Sequence, residues 1–190
     1  MARRADVLEF AVLGMLADGP LHGYELRKRL TAVLGPFRAL SFGSLYPALR
    51  RLSERSLIRE LQTTPATESE APPLAAKRAR VVYALTAEGK EAFGDWVNQP
   101  GPEAWEDEGF AAHLAFFSQT EAMVRVRILE GRRSRLEERL STMRESIKRG
   151  RERMDNYTLQ LQEHGVEATE REVRWLNELI SLEQVDHIRK

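Results

Sequence analysis

The chain has 190 residues, no cysteine, and 29 Lys and Arg against 29 Asp and Glu, a length that allows one domain with a large appendage or two small ones. The lack of cysteine excludes disulfides, thiolate zinc sites and cysteine nucleophiles, and makes a reducing cytoplasm the expected compartment. No run approaches the ~20 apolar residues of a membrane span, and the neutral total hides a mild polarity, with 14 basic against 11 acidic residues in 1–99 and 15 against 18 in 100–190.

Val7 to Ala17 is apolar nearly all round, broken only by Glu9, and the Asp18-Gly19-Pro20 stop that follows is not a cleavage site, so it reads as a folded helix rather than a leader. Such a helix needs cover on two sides: one from its own small domain, the other expected from the C-terminal half or a second subunit. A second helix begins near Gly23, with Leu26, Leu30, Val33 and Leu34 as its apolar stripe, and ends at Gly35-Pro36. The third carries Leu45, Leu49 and Leu52 on one face and Tyr46, Pro47, Arg50, Arg51 and Glu54 opposite. Its cap is Ser41 or Ser44; Pro47 favours Ser44, because proline is tolerated in the first turn of a helix. Residues 57–62 and 80–86 read as the strands of a hairpin, joined by a long tip that contains Lys77 and Arg78. Thr86 then caps a helix holding Phe93, Trp96 and Val97, which Pro100-Gly101-Pro102 closes.

Three helices, a hairpin and a closing helix are the order of a winged helix-turn-helix, and the third helix has suitable chemistry for a duplex. Arginine forks onto phosphate or guanine, and tyrosine donates to phosphate. The other use of such a face is simply solvation. Three stretches, Leu21-His22-Gly23-Tyr24-Glu25-Leu26, 43–52 (GSLYPALRRL) and Tyr83-Ala84-Leu85-Thr86-Ala87-Glu88-Gly89, resemble the PadR family of bacterial transcriptional regulators. That resemblance implies a homodimeric repressor bound to double-stranded DNA and released by a small-molecule effector. It places Tyr24, Ser44, Tyr46 and Arg50 in the helix-turn-helix motif and Lys77 and Arg78 where the wing approaches the backbone; with Arg51 of the same basic helix face, these are the expected DNA-binding residues. Ser56 departs from the family's usual glycine before the strand, where glycine eases a left-handed helix end. Arg3 and Arg4 are a possible phosphate-contacting arm.

Beyond the junction, Leu129, Leu136, Met143 and Tyr157 with Val126, Leu140, Ile147, Met154 and Leu161 form a heptad from Val126 to Leu161, the pattern of a coiled-coil dimer arm. The arginines among them, Arg132, Arg133, Arg135, Arg149, Arg151 and Arg153, interleave with glutamates and so read as a solvated flank rather than a second nucleic-acid patch. Gly150 marks a kink or a close helix approach, Gly165 is expected to break the long helix, and Thr169 to cap the next; His164 then falls near a helix end. Phe93, Trp96, Trp105, Phe110, Phe116 and Phe117 cluster in sequence around the junction; they either line an effector pocket or are core aromatics of the hinge, the commoner use of such rings. The expected fold is mainly α: a winged-helix DNA-binding domain with a two-stranded wing over 1–99, a junction over 100–119, and a helical dimerisation domain over 120–190, its two antiparallel helices packing on the first helix and on a second subunit. No HExxH, phosphate loop or nucleophile elbow accompanies the four histidines, so neither catalysis nor a metal or cofactor is expected. The alternative function is a winged-helix adaptor for another protein, and Arg50→Glu separates the two: it abolishes DNA retention in one case and protein pull-down in the other.

Overall fold

The computed structural model describes residues 4–35, 42–62, 81–107 and 109–188. These fall into two compact units, Met1–Gln99 with Ala111–Gln119, and Pro100–Phe110 with Thr120–Lys190, so residues 100–119 are divided between them. Among the described residues no helix is long and apolar enough to cross a membrane.

In the first unit, α1 (Arg4–Ala17) is the central helix. Leu8, Ala11, Val12, Leu13 and Leu16 are buried along its length, and its neighbours are α2 (Gly23–Leu34), α3 (Phe42–Glu54), β3 (Val81–Leu85) and α4 (Ala87–Val97). Part of the second cover comes from beyond residue 99, as expected of the C-terminal half: Ala112 and Phe116, from α6 (Phe110–Ala115) and the residue after it, join the same core. On α2 the buried residues are Gly23, Leu26, Leu30 and Leu34. Val33, expected in that stripe, is instead 37% exposed, at the edge of a buried face centred between Leu30 and Gly23.

β2 (Ile58–Gln62) and β3 pair antiparallel as expected, with Glu60 opposite Tyr83. A third strand adds to the expected pair: β1 (Leu21–His22) lies on the other edge of β3, with Leu21 opposite Tyr83. Two residues carry no period, so only their partner reveals them.

The turn between α3 and β2 is a Schellman end. Leu57 N–H donates to the Leu52 carbonyl and Ser56 N–H to the Ser53 carbonyl, both at 2.9 Å, and Ser56 takes a φ of 58°. This is the position at which the sequence departs from the usual glycine. A β-carbon in the left-handed region costs about 1–2 kcal/mol, and a glycine returns part of that gain through its freer unfolded chain. Ser56→Gly is therefore expected to raise stability by roughly 0.5–1 kcal/mol, read as a higher urea midpoint at unchanged slope; a lower midpoint would contradict the strain. As expected, Thr86 caps α4. Its hydroxyl accepts from Gly89 N–H at 3.0 Å and lies 2.7 Å from the Ser56 carbonyl, to which it donates.

The second unit contains α5 (Pro102–Trp105), α7 (Ala122–Gly150) and α8 (Asn156–Ile188). The last two form an antiparallel hairpin, as expected. Its cross-helix ion pairs run from Arg125–Glu183 at 2.7 Å through Arg132–Glu172 at 2.8 Å to Arg144–Glu170 at 2.7 Å, so arginines of α7 face carboxylates of α8. Of the arginines weighed as a second patch, Arg132, Arg133, Arg135, Arg149 and Arg151 all have partners.

Several boundaries differ from the heptad reading. The long helix does not reach Leu161: it ends at Gly150, and after the 3-10 turn Arg151–Arg153 a new helix starts at Asn156. Asp155 is the reason. Its carboxylate accepts from the Tyr157 and Thr158 N–H groups at 2.9 and 3.0 Å and from the Thr158 hydroxyl at 2.6 Å, a helix N-cap. The Thr158 side-chain bond above all holds the Asp155 carboxyl below its usual pKa. Gly165 does not break α8 and Thr169 does not cap a helix; both lie inside it, as does His164. A β-carbon at Gly165 would come within 2.9 Å of Met143 Cε, so this glycine permits close approach of the paired helices, and Thr169 donates back to the Gly165 carbonyl at 2.8 Å. Ile128, Leu129, Arg132, Leu136 and Leu140 are buried on α7, whereas Tyr157 and Leu161 are 86% and 69% exposed.

Candidate nucleic-acid interface

The three leucines of α3 are buried as the wheel requires, Leu45 at 5%, Leu49 at 1% and Leu52 at 0% exposure. This turns Ser44, Tyr46, Pro47 and Arg50 outward. The helix starts at Phe42, so the preference for a Ser44 cap is corrected: Ser44 is the third helical residue, and Ser41 lies outside the described residues. Pro47 is tolerated beyond the first turn because it stands on the exposed face, where water can replace the one helical hydrogen bond that its missing N–H forfeits.

Tyr24 at the start of α2 and Tyr46 on α3 are both largely exposed, at 66% and 46%. The two helix starts meet at Gly23, where a β-carbon would lie 3.4 Å from Tyr83 Cε2 and 3.9 Å from Tyr46 Cε1. Tyr83, read in the sequence as a strand residue that opens the third resembling stretch, packs beneath this junction. Burial, then the Glu60 carboxylate, then Tyr46 push its hydroxyl pKa up, so it is a neutral group in the floor of the surface. Large exposed aromatics are costly to solvate and suited to a partner that supplies phosphate acceptors.

Arg50 and Arg51, adjacent in sequence, have different environments, their side chains 82% and 43% exposed. The Arg50 Nε donates to Glu54 Oε1 at 2.8 Å on the exposed face of the helix. Arg51 Nε donates to Glu9 Oε1 at 2.6 Å. Glu9, which interrupts an apolar helix in the sequence, is buried. Exposed Arg59 on β2 is a further cation on the wing that sequence reasoning did not single out. Lys77 and Arg78 lie outside the described residues, as does Arg3.

The six aromatics of the expected pocket separate by unit. Phe93, Trp96 and Phe116 surround Phe10, with ring centroids 5.5, 6.2 and 5.5 Å away, and His113 stacks on Phe10 at 4.7 Å. Trp105 and Phe110 belong to the second unit, where buried Arg132 donates to the Trp105 carbonyl at 3.3 Å and lies 5.3 Å over the Phe110 ring. Phe117 is half-buried in the short 3-10 turn Phe117–Gln119. Among the described residues no group of three His, Asp or Glu side chains could hold a metal ion.

A helix whose apolar stripe seats it on a three-helix core, an exposed tyrosine and arginine face and an antiparallel hairpin behind it define a winged helix-turn-helix. Residues 12–95 match the model of the Transcriptional regulator PadR-like family, so this part of the chain is similar to that family. Over 104 residues, 54% of this chain and 52% of the relative, it is 33% identical to the "Negative transcriptional regulator PadR" of Bacillus subtilis (strain 168). It is 44% identical over 59 residues, 31% of this chain and 16% of the relative, to an uncharacterized 37.1 kDa protein in transposon TN4556 of Streptomyces fradiae. The chain thus spans about half the length of the first relative and less of the second. Among solved structures it resembles Bacillus subtilis PadR in complex with operator DNA, at 24% identity and a TM-score of 0.42 over 93% of this chain and 99% of that one. The same protein in complex with p-coumaric acid gives 23% identity and a TM-score of 0.41 over 94% and 99%.

Proposed function

We propose that the chain is a homodimeric transcriptional repressor that reads a palindromic operator with α3 and is released by a small-molecule effector, acting in the cytoplasm without a catalytic step. The observation that carries it is that Tyr24 on α2 and Ser44, Tyr46 and Arg50 on α3 are all exposed while the leucine stripe of α3 is buried. The repressor sense is supported by the negative regulator among its relatives. Lys77 and Arg78 supply the wing contact in this reading. Two reading helices need a rigid spacing of roughly 34 Å or a multiple of it. The second unit has the surface for that pairing, since Tyr157, Leu161, Leu182 and Val185 are 86%, 69%, 63% and 48% exposed on α8. Binding between copies removes such apolar area from water.

Selection of an operator from random duplexes, with the region upstream of its own gene included, tests the reading, and a screen for compounds that release the selected duplex tests the effector. Affinity is expected to fall steeply with salt; equal affinity for selected and scrambled duplex would sink the proposal. Within it, Arg50→Ala is expected to cost about 1–3 kcal/mol on the selected duplex and to relax preference at one base position. An unchanged preference would move Arg50 from base reading to phosphate.

A further inference from the structure

We infer that Glu9 is a positioning residue for the recognition helix: its buried carboxylate clamps Arg51 and Arg55, and thereby determines that Arg50 is the arginine presented to DNA. This rests on the DNA-binding reading above.

The Glu9 side chain is 4% exposed in the stretch Val7–Ala17 of α1, which is otherwise without charge. Burying a carboxylate is unfavourable unless it is paired and hydrogen-bonded, and here each oxygen has its own arginine. Arg51 Nε reaches Oε1 at 2.6 Å and Arg55 Nη1 reaches Oε2 at 3.0 Å. The two arginines stand four residues apart at the end of α3, on one side of the helix, and the helix's negative end favours cations there. The Arg55 guanidinium also lies 5.9 Å from the Trp96 ring centroid on α4, within cation–π range. The last turn of the recognition helix is thus tied to both α1 and α4.

A leucine stripe holds a helix against a core but tolerates small rotations about its own axis, because dispersion contacts carry little direction. A two-pronged ionic fork does not, since each prong has one short bonding direction. Successive residues on a helix point about 100° apart, so drawing Arg51 inward turns Arg50 outward. Buried ion pairs add little net stability compared with apolar replacements; what this one adds is a single rotational setting. Two neighbouring arginines of identical chemistry are therefore given different roles by a carboxylate more than forty positions earlier.

The test uses the full chain as wild type, Glu9→Gln, Arg51→Met, Arg50→Met and the Glu9→Gln/Arg51→Met double variant, titrated with the selected and the scrambled duplex over a range of salt. Arg51→Met is expected to leave the salt slope unchanged, since Arg51 neutralises no phosphate, while the selected-to-scrambled affinity ratio falls about tenfold. Glu9→Gln is expected to lower the ratio to a similar extent and to steepen the slope, because it frees two cations that each release about one counterion on meeting phosphate. The double variant should be no worse than either single one. A slope flattened by about 0.9 in Arg51→Met makes Arg51 a phosphate contact and overturns the proposal, as does a ratio preserved in either single variant. A loss of stability alone moves neither slope nor ratio once the folded fraction is fixed by thermal melts. A DNA-free measurement separates failure of the clamp from failure of the DNA reading. The Arg51 Nε–H should exchange with water more slowly than that of Arg50 in the wild type and lose this protection in Glu9→Gln; equal exchange in the wild type overturns the clamp. A selected-to-scrambled ratio of one for a wild type that retains the protection instead overturns the DNA reading.

Discussion

Alanine at position 89 is expected to destabilise the winged-helix unit by more than about 3 kcal/mol, beyond the usual range for adding one methyl group to a packed site. Gly89 is buried in the first turn of α4, and a β-carbon there would stand 1.9 Å from the Leu57 carbonyl oxygen, 2.9 Å from its carbon and 3.2 Å from Leu85 Cδ1. The obstacle is backbone, which cannot rotate out of the way as a side chain does. The same carbonyl accepts from Thr86 N–H at 3.2 Å and lies 3.0 Å from the Thr86 hydroxyl, so moving α4 outward breaks its cap. Moving Leu57 instead disturbs its 2.9 Å bond to Leu52, which ends the recognition helix. Urea unfolding of the full chain measures the loss. Gly94, in the same helix, is the control, because an added β-carbon there would meet nothing among the described residues within 4 Å. Alanine at that position should stabilise by roughly 0.5–1 kcal/mol. If both alanines behave alike, α4 does not approach the Leu57 carbonyl this closely.

The second large effect depends on pH. His113 is 9% exposed and stacks on Phe10 at 4.7 Å, and its Nδ1 has no hydrogen-bond partner among the described residues. Burial lowers its pKa from 6.5 to about 4, because an imidazolium in this aromatic cluster would lose its hydration without gaining a counter-charge. The folded state therefore binds fewer protons than the unfolded chain between these values. Stability is undiminished above about pH 6.5, falls as the pH drops through this window, and levels off below about 4, with a loss of roughly 3 kcal/mol by pH 4. His113→Phe keeps an aromatic ring and removes the titration. The variant should match or exceed the wild type at pH 7 and lose that much less than the wild type between pH 7 and 4; parallel losses in the two proteins would show that His113 is not buried neutral.

Much of the architecture was legible because its signals are local. Leu45, Leu49 and Leu52 specify which face of α3 is buried whatever it packs against, Asp18-Gly19-Pro20 stops α1, and Thr86 caps α4 through its own Gly89. The helical hairpin of the second unit followed from apolar repeats, but its boundaries were misplaced. A heptad continues on paper through Gly150, whereas Asp155 caps a new helix; Gly165 looks like a breaker until Met143 is seen against it.

The sequence by itself determined the winged-helix order and the outward face of Tyr46 and Arg50, because propensity, period and turn chemistry act over a few residues. Only the tertiary structure decided that Arg51 turns to Glu9 while Arg50 does not, that β1 exists, and that His113 is held neutral against Phe10. Those outcomes depend on groups that meet from distant parts of the chain. Desolvation and ion pairing, which control them, act through space, so no local pattern records them.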